Sequence, residues 1–189
     1  GKGELLWKKQ IGNGRFGRSL PLVADANNDG RYELYLMANA ADGGPGLFAL
    51  DAESGTLLWK AKSTLQTYDS PALAAIDGNG RNAIVFGDKN TRLYAVSSSG
   101  QPLWNTQLDG NGIFFAPAVA DLNGDGHAVI FETVRGTGIN GKAFYALNSS
   151  GTIIDEVPLD GGTPNFSERG GIASPILLRF RGEQYLKLI

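Results

Sequence analysis

One block of sequence recurs along this chain, and it limits the fold more than any other feature. Each copy opens on a short apolar segment around a proline: SLPLVADANNDG from Ser19, SPALAAIDGNG from Ser70, APAVADLNGDG from Ala116 and SPILLRFRGEQ from Ser174. In the first three copies a second apolar run follows (YELYLMA, NAIVFGD, HAVIFET), then a third (GLFALDAESG, RLYAVSSSG, AFYALNSSG) and a fourth (GTLLW, GQPLW, GTIID). The opening stretch Gly3-Glu4-Leu5-Leu6-Trp7 is a further copy of the fourth run. The runs are short, rich in β-branched and aromatic residues and bounded by Gly, Asp and Asn, which is the pattern of strands. None holds a helical period over the ~10 residues that a helix needs.

Four short strands per unit, at a period of roughly 50 residues, predict an all-β chain of β-propeller blades. A lone four-stranded sheet cannot cover both its faces, whereas blades stacked radially bury face against face. The expected division is 1–12 as the last strand of a preceding blade, blades at 13–62, 63–111 and 112–160, and 161–189 as the first half of a further blade. That last unit lacks a third strand. The expectation is therefore an incomplete propeller: either part of a larger ring, or one of two copies in a homodimer that complete each other's blades. Trp7, Trp59 and Trp104 recur at one repeat position, where the next copy has Asp155. Their expected role is packing between strands or blades.

Composition narrows the function classes. Glycine supplies 27 of 189 residues, about twice the usual ~7%. The glycines do not fall at every third position and cluster between apolar runs, so they serve turns rather than a collagen helix. The chain has no cysteine, which removes disulfides, thiol catalysis and cysteine-held zinc. A net charge of -2 argues against nucleic-acid binding. The basic residues Lys8, Lys9, Arg15 and Arg18 lack the interleaved aromatics that a nucleic-acid surface uses. No apolar run approaches the ~18 residues of a transmembrane helix. Asn-x-Ser sequons at Asn148 and Asn165 would matter only in a glycosylating secretory pathway.

The strongest chemical signal is Asp25-Ala26-Asn27-Asn28-Asp29-Gly30-Arg31-Tyr32-Glu33. Oxygen side chains stand at positions 1, 3, 5 and 9 (Asp25, Asn27, Asp29, Glu33), Gly30 permits the tight turn and Arg31 offers a backbone carbonyl. Calcium takes about six to eight hard oxygen ligands, and a short loop of alternating inward oxygens supplies them. The flanks read as strands, so the expectation is a calcium loop in a hairpin, not an EF-hand. The same residue types also favour a metal-free turn. The third copy keeps Asp121, Asn123 and Asp125, with His127 at the carbonyl position. Val129 replaces the last acid there, so a site would call on Glu132 or water. In the second copy, Asp77-Gly78-Asn79-Gly80-Arg81 is shortened and brings a cation, so it reads as a plain turn.

Phe16-Gly17 followed by SLPLVADANNDGRYELYL resembles the FG-GAP or VCBS-type repeat of calcium-binding β-propellers, including integrin alpha chains. Ala49-Leu50-Asp51-Ala52-Glu53-Ser54-Gly55-Thr56-Leu57-Leu58-Trp59 resembles the tryptophan docking motif of quinoprotein propellers. The match is full only there: Ser97 and Asn148 replace the aspartate in later copies. This second resemblance is read as blade architecture rather than as a quinone site. Together the resemblances imply a calcium-stabilised propeller placed outside the cell, in a periplasm or at a surface, and used for adhesion or ligand binding.

The leading functional expectation is a non-catalytic recognition or adhesion scaffold that binds a protein or glycan at one propeller face. Candidate contact loops are Asn39–Gly46, Arg135–Lys142 and Asp160–Gly170, the last with Phe166 and Arg169. Insertions at one topological position of a repeat fold gather on one face and often mark binding. The competing reading is part of a propeller enzyme, such as a polysaccharide lyase or quinoprotein dehydrogenase. Its only candidate groups are Tyr68 with Asp69 and Glu168 with Arg169, ahead of the first strands of their blades. Catalysis would need them to converge in a pocket.

Overall fold

A computed structural model describes residues 3–11, 19–40, 44–135, 144–157, 174–175, 177–178 and 187–188. The described chain is all-β. Blade 1 contains β1 (Leu22–Ala24), β2 (Glu33–Ala40), β3 (Gly44–Asp51) and β4 (Leu57–Lys62). Blade 2 contains β5 (Ala72–Ala75), β6 (Asn82–Gly87), β7 (Arg92–Ser97) and β8 (Pro102–Gln107). Blade 3 contains β9 (Ala118–Ala120), β10 (Val129–Thr133), β11 (Phe144–Leu147) and β12 (Ile153–Val157). Each is a simple antiparallel meander in sequence order, as a propeller blade requires. A two-stranded ladder, β13 (Leu177–Leu178) with β14 (Lys187–Leu188), follows.

The register superimposes the blades residue by residue. Tyr35 pairs with Ala49 and Ala49 with Trp59; Val85 pairs with Ala95 and Ala95 with Trp104; Phe131 pairs with Ala146 and Ala146 with Asp155. In every blade the ladder slips immediately after that alanine, between the third and fourth strands. A bulge at this position bends the outer strand and re-aims its side chains, here the tryptophans.

Two apolar seams hold the blades together. Tyr35, Met37, Leu47 and Ala49 of blade 1 pack with Ile84, Phe86 and Val96 of blade 2. The opposite face of blade 2 (Val85, Leu93, Ala95) packs with Ile130, Tyr145 and Leu147 of blade 3. The middle sheet is covered on both sides, which is why β6 reads as an unbroken apolar run rather than an alternating one. Burying each large side chain in these seams contributes about 1.5–3 kcal/mol. The outer strands keep exposed aliphatics: Leu58, Leu103 and Ile154 are 49%, 43% and 55% exposed.

Residues 3–11 form no ladder among the described residues, although the sequence marks them as a fourth strand. Of the expected contact loop Asn39–Gly46, five residues belong to the hairpin ladder, which runs out to Ala40 paired with Gly44. Residues 41–43, most of the loop at 135–142 and all of 160–170 lie outside the described residues, as do Arg15, Phe16, Gly17 and Arg18.

Candidate functional site

The loops joining first and second strands carry the acidic motifs, and each closes on itself. In blade 1, Asp25 accepts the backbone N–H groups of Asp29 (3.0 Å) and Gly30 (2.8 Å). Asn27 Oδ1 accepts Asp29 N–H at 3.0 Å, and Asp29 Oδ1 accepts Arg31 N–H at 2.8 Å. The Asn27 amide donates to Asp29 Oδ2 at 3.1 Å, so Asp25, Asn27 and Asp29 are gathered in one turn. Glu33 is placed differently. It begins β2, is buried, and its Oε2 accepts Ala26 N–H (3.2 Å) and the Tyr35 hydroxyl (3.1 Å). Burial first, then the charge of Glu33, pushes the Tyr35 phenol above its ordinary value.

Blade 3 repeats the turn. Asp121 accepts from Gly124, Asp125 and Gly126, Asp125 Oδ1 accepts from His127, and the Asn123 amide donates to Asp125. These backbone donors, Gly126 foremost, hold the Asp121 carboxyl below the usual range. His127 Nδ1 lies 3.2 Å from Ile76 O of blade 2 and 3.4 Å from Ser149 Oγ, so its ring lies against the neighbouring blade. Glu132 is not at this turn; it lies along β10, fully buried. In blade 2 Arg81 closes on Asp77 as an ion pair. The three turns also touch: Asn28 Nδ2 donates to Gly80 O at 2.9 Å, and Gly78 N–H donates to Gly126 O at 3.1 Å. Among the described residues, no three Asp, Glu, His or Cys side chains stand together in an arrangement that would hold a metal. The oxygen donors fit calcium in part: three side chains and a carbonyl share the first turn, while Glu33 is engaged in the core.

The turns joining third and fourth strands receive the tryptophans, always from the preceding unit. Trp7 Nε1–H donates to Ala52 O at 3.0 Å, Trp59 to Ser98 O at 2.9 Å and Trp104 to Ser149 O at 3.0 Å. Each indole lies on a glycine of left-handed φ: Gly55, Gly100 and Gly151, at +69°, +80° and +81°. A Cβ there would stand 2.5–2.6 Å from ring atoms, so glycine is required for the backbone and for the contact alike. Asp51, Ser97 and Asn148 occupy one position of this turn and do one job. Each side-chain oxygen accepts a backbone N–H across it: Ser54 to Asp51, Gln101 to Ser97, Thr152 to Asn148. The replacements that weaken the sequence motif therefore keep its chemistry.

Of the candidate catalytic residues, only Tyr68 and Asp69 are described, and they do not open onto a shared site. Tyr68 stacks on Phe114 (centroids 5.6 Å apart), and Arg135 covers that ring at 5.5 Å. Asp69 is fully buried, and its Oδ2 accepts Gly87 N–H at 2.7 Å. Glu168 and Arg169 lie outside the described residues. Sequence reasoning missed Asp88, a fully buried carboxylate at the β6–β7 turn. It accepts from Asn90 and Arg92 within that turn, and from Thr64, Leu65 and the Tyr94 hydroxyl outside it. An Asp followed by polar turn residues is a legible signal for the local half of that network only.

Meander blades, a repeated bulge and an indole docked on each following turn define a blade-repeat β-propeller chain. Residues 1–165 match the family of the outer membrane protein assembly factor BamB, and the chain belongs to that family. No curated protein matches it. Among solved structures, the C-terminal domain of Pseudomonas aeruginosa PilY1 is similar, with a TM-score of 0.58 and 22% identity over 85% of this chain and 40% of that one. BamB from Moraxella catarrhalis gives a TM-score of 0.43 and 16% identity, covering 67% of this chain and 38% of that one. The V. cholerae biofilm matrix protein Bap1 gives 0.36 and 22%, covering 80% and 29%. The chain thus spans well under half the length of these structures. The PilY1 likeness supports the fold.

Proposed function

We propose that this chain is a non-catalytic recognition and assembly module: propeller blades that present a loop face to a protein partner outside the cytoplasm. The observation that carries this reading is the match of residues 1–165 to a family described by outer membrane protein assembly. The partner suggested by that description is an envelope protein, and the expected location is extracellular, periplasmic or at the cell surface. The side chains support the same reading. The indoles are committed to joining successive units, while Lys89 and Asn90 at the β6–β7 turn are exposed.

The test is site-specific photocrosslinking in cells. A photoreactive residue at Asn90, in the β6–β7 turn, is expected to trap a defined envelope protein, and one at Leu103, on the outer strand β8, is not. Equal capture from both positions, or none from either, would overturn the reading.

We also propose calcium as the ligand of the first turn, through Asp25, Asn27, Asp29 and the carbonyl of Arg31, as in the FG-GAP-type repeats that the sequence resembles. The support is the gathering of those three side chains in one turn about Gly30. Bound there, calcium would pin the loop that touches blade 2. The blade 3 turn, with Asp121, Asn123, Asp125 and the His127 carbonyl, is the weaker second candidate.

A further inference from the structure

The register that aligns the blades sets Leu36, Phe86 and Glu132 at one position, immediately after Tyr35, Val85 and Phe131. In blades 1 and 2 that position is apolar and packs into a seam or beside one. In blade 3 it is a carboxyl group with no exposed surface. Ile130, two residues earlier and on the same side of β10, packs into the seam with Val85, Leu93 and Ala95, so Glu132 also faces blade 2. Facing blade 2, it lies within electrostatic reach of Asp69, equally buried and tied by Oδ2 to the end of β6 through Gly87 N–H. Glu132 Oε1 accepts Thr133 N–H at 2.8 Å. The remaining oxygens, Asp69 Oδ1 and Glu132 Oε2, are buried and have no hydrogen-bond partner among the described residues.

Neither carboxyl is paired with a cation among the described residues. The other titratable groups nearby are already committed. Tyr145, opposite Glu132 on β11, donates its hydroxyl hydrogen to Asp109 O at 3.0 Å. Asp88, next to Gly87, is saturated by donors from Thr64, Leu65 and Tyr94. Two dry like charges within reach of each other are strongly unfavourable, and the least costly remedy is to keep a proton. We propose that the seam between blades 2 and 3 is closed by a proton held on the Asp69–Glu132 pair, which makes this junction a built-in pH-sensitive element.

Burial pushes both carboxyls well above the ordinary range, and the charge of Asp69 raises Glu132 further. The sign follows from linkage. Groups with raised folded values bind more protons folded than unfolded, so their contribution is complete below the unfolded value and is lost as pH rises through the folded one. Each proton released raises the unfolding constant by up to about tenfold per pH unit in that window.

The experiment measures denaturant unfolding of the 189-residue chain from acidic to alkaline pH, for wild type, Glu132→Gln and Glu132→Leu. Leucine is the residue that blade 1 carries at this position, so that variant serves if the amide does not fold. The expected result is a loss of wild-type stability as pH rises from the unfolded carboxylate value through the folded one, flattened in the variants. An infrared carbonyl band of a protonated carboxyl group is expected on the acid side of that loss, and is expected to be weakened in Glu132→Gln, where Asp69 alone remains to hold the proton. An unchanged slope of stability against pH in both variants would overturn the proposal, as would absence of the band in wild type. Rescue of the wild type alone by calcium or magnesium at the high-pH end would also overturn it, because the pair would then be holding a metal ion rather than a proton.

Discussion

Gly151 and Gly124 share a left-handed backbone, φ +81° and +75°, but differ in what surrounds them. Trp104 lies on Gly151, whereas nothing comes within 4 Å of a Cβ placed at Gly124. Alanine at Gly124 is expected to cost only the backbone penalty, about 1 kcal/mol. Alanine at Gly151 must also displace the indole from its acceptor, so its expected cost is about 2–4 kcal/mol. Urea unfolding of the two variants checks the difference; equal losses would mean that the indole contact contributes little. The recurrence of Trp7, Trp59 and Trp104 was plain in the sequence, and so was their packing role. Their acceptors were not, because each lies in the turn of the following blade and no local pattern links an indole to a carbonyl in the next repeat.

At the level of the element, the strands were legible because alternating or continuous apolar runs set their period, and the glycine-rich turns set their ends. The length of the β2–β3 hairpin was not: Asn39, Gly44, Pro45 and Gly46 look like loop residues, yet the ladder includes them. The first acidic turn shows the same limit. Its oxygen spacing was readable from the sequence, but the direction of Glu33 depends on Tyr35 and Ala26, which draw it into the core. Calorimetric titration of calcium into chelator-treated protein tests this turn. The expected outcome is saturable binding near one ion per chain, lost in Asp29→Ala and retained in Glu33→Gln. A second equivalent would bring in the blade 3 turn through Asp121 and Asp125. No heat of binding would leave the turn as a hydrogen-bonded structure without metal.

For the whole molecule, the acid limb of stability should have the opposite sign to that of the buried pair. Hydrogen bonds from Ser54 hold Asp51 below the ordinary carboxylate range, and backbone donors led by Asn79 do the same for Asp77. Groups with lowered folded values contribute stability above an unfolded value of about 3.9, and that contribution is lost as pH falls through the folded value. Unfolding measured at about pH 5 and about pH 3 should therefore show a shallower acid loss in Asp51→Asn and Asp77→Asn than in wild type. An unaltered acid limb would mean that these turns do not report on folding. The pairing of Asp69 with Glu132 could not be read from the sequence, because the two belong to different repeats and meet only when blades stack.

The indole contacts run one way among the described residues: Trp7, Trp59 and Trp104 each reach to the following unit. Such an array has a grammar: a unit joined upstream must bring an indole, and a unit joined downstream must bring a glycine turn to receive one. Whole repeats can then be duplicated or deleted without breaking a junction, whereas a cut inside a repeat orphans one half of the lock. Blade 3 carries Asp155 at the indole position, so among the described residues Trp104 is the last indole of the series.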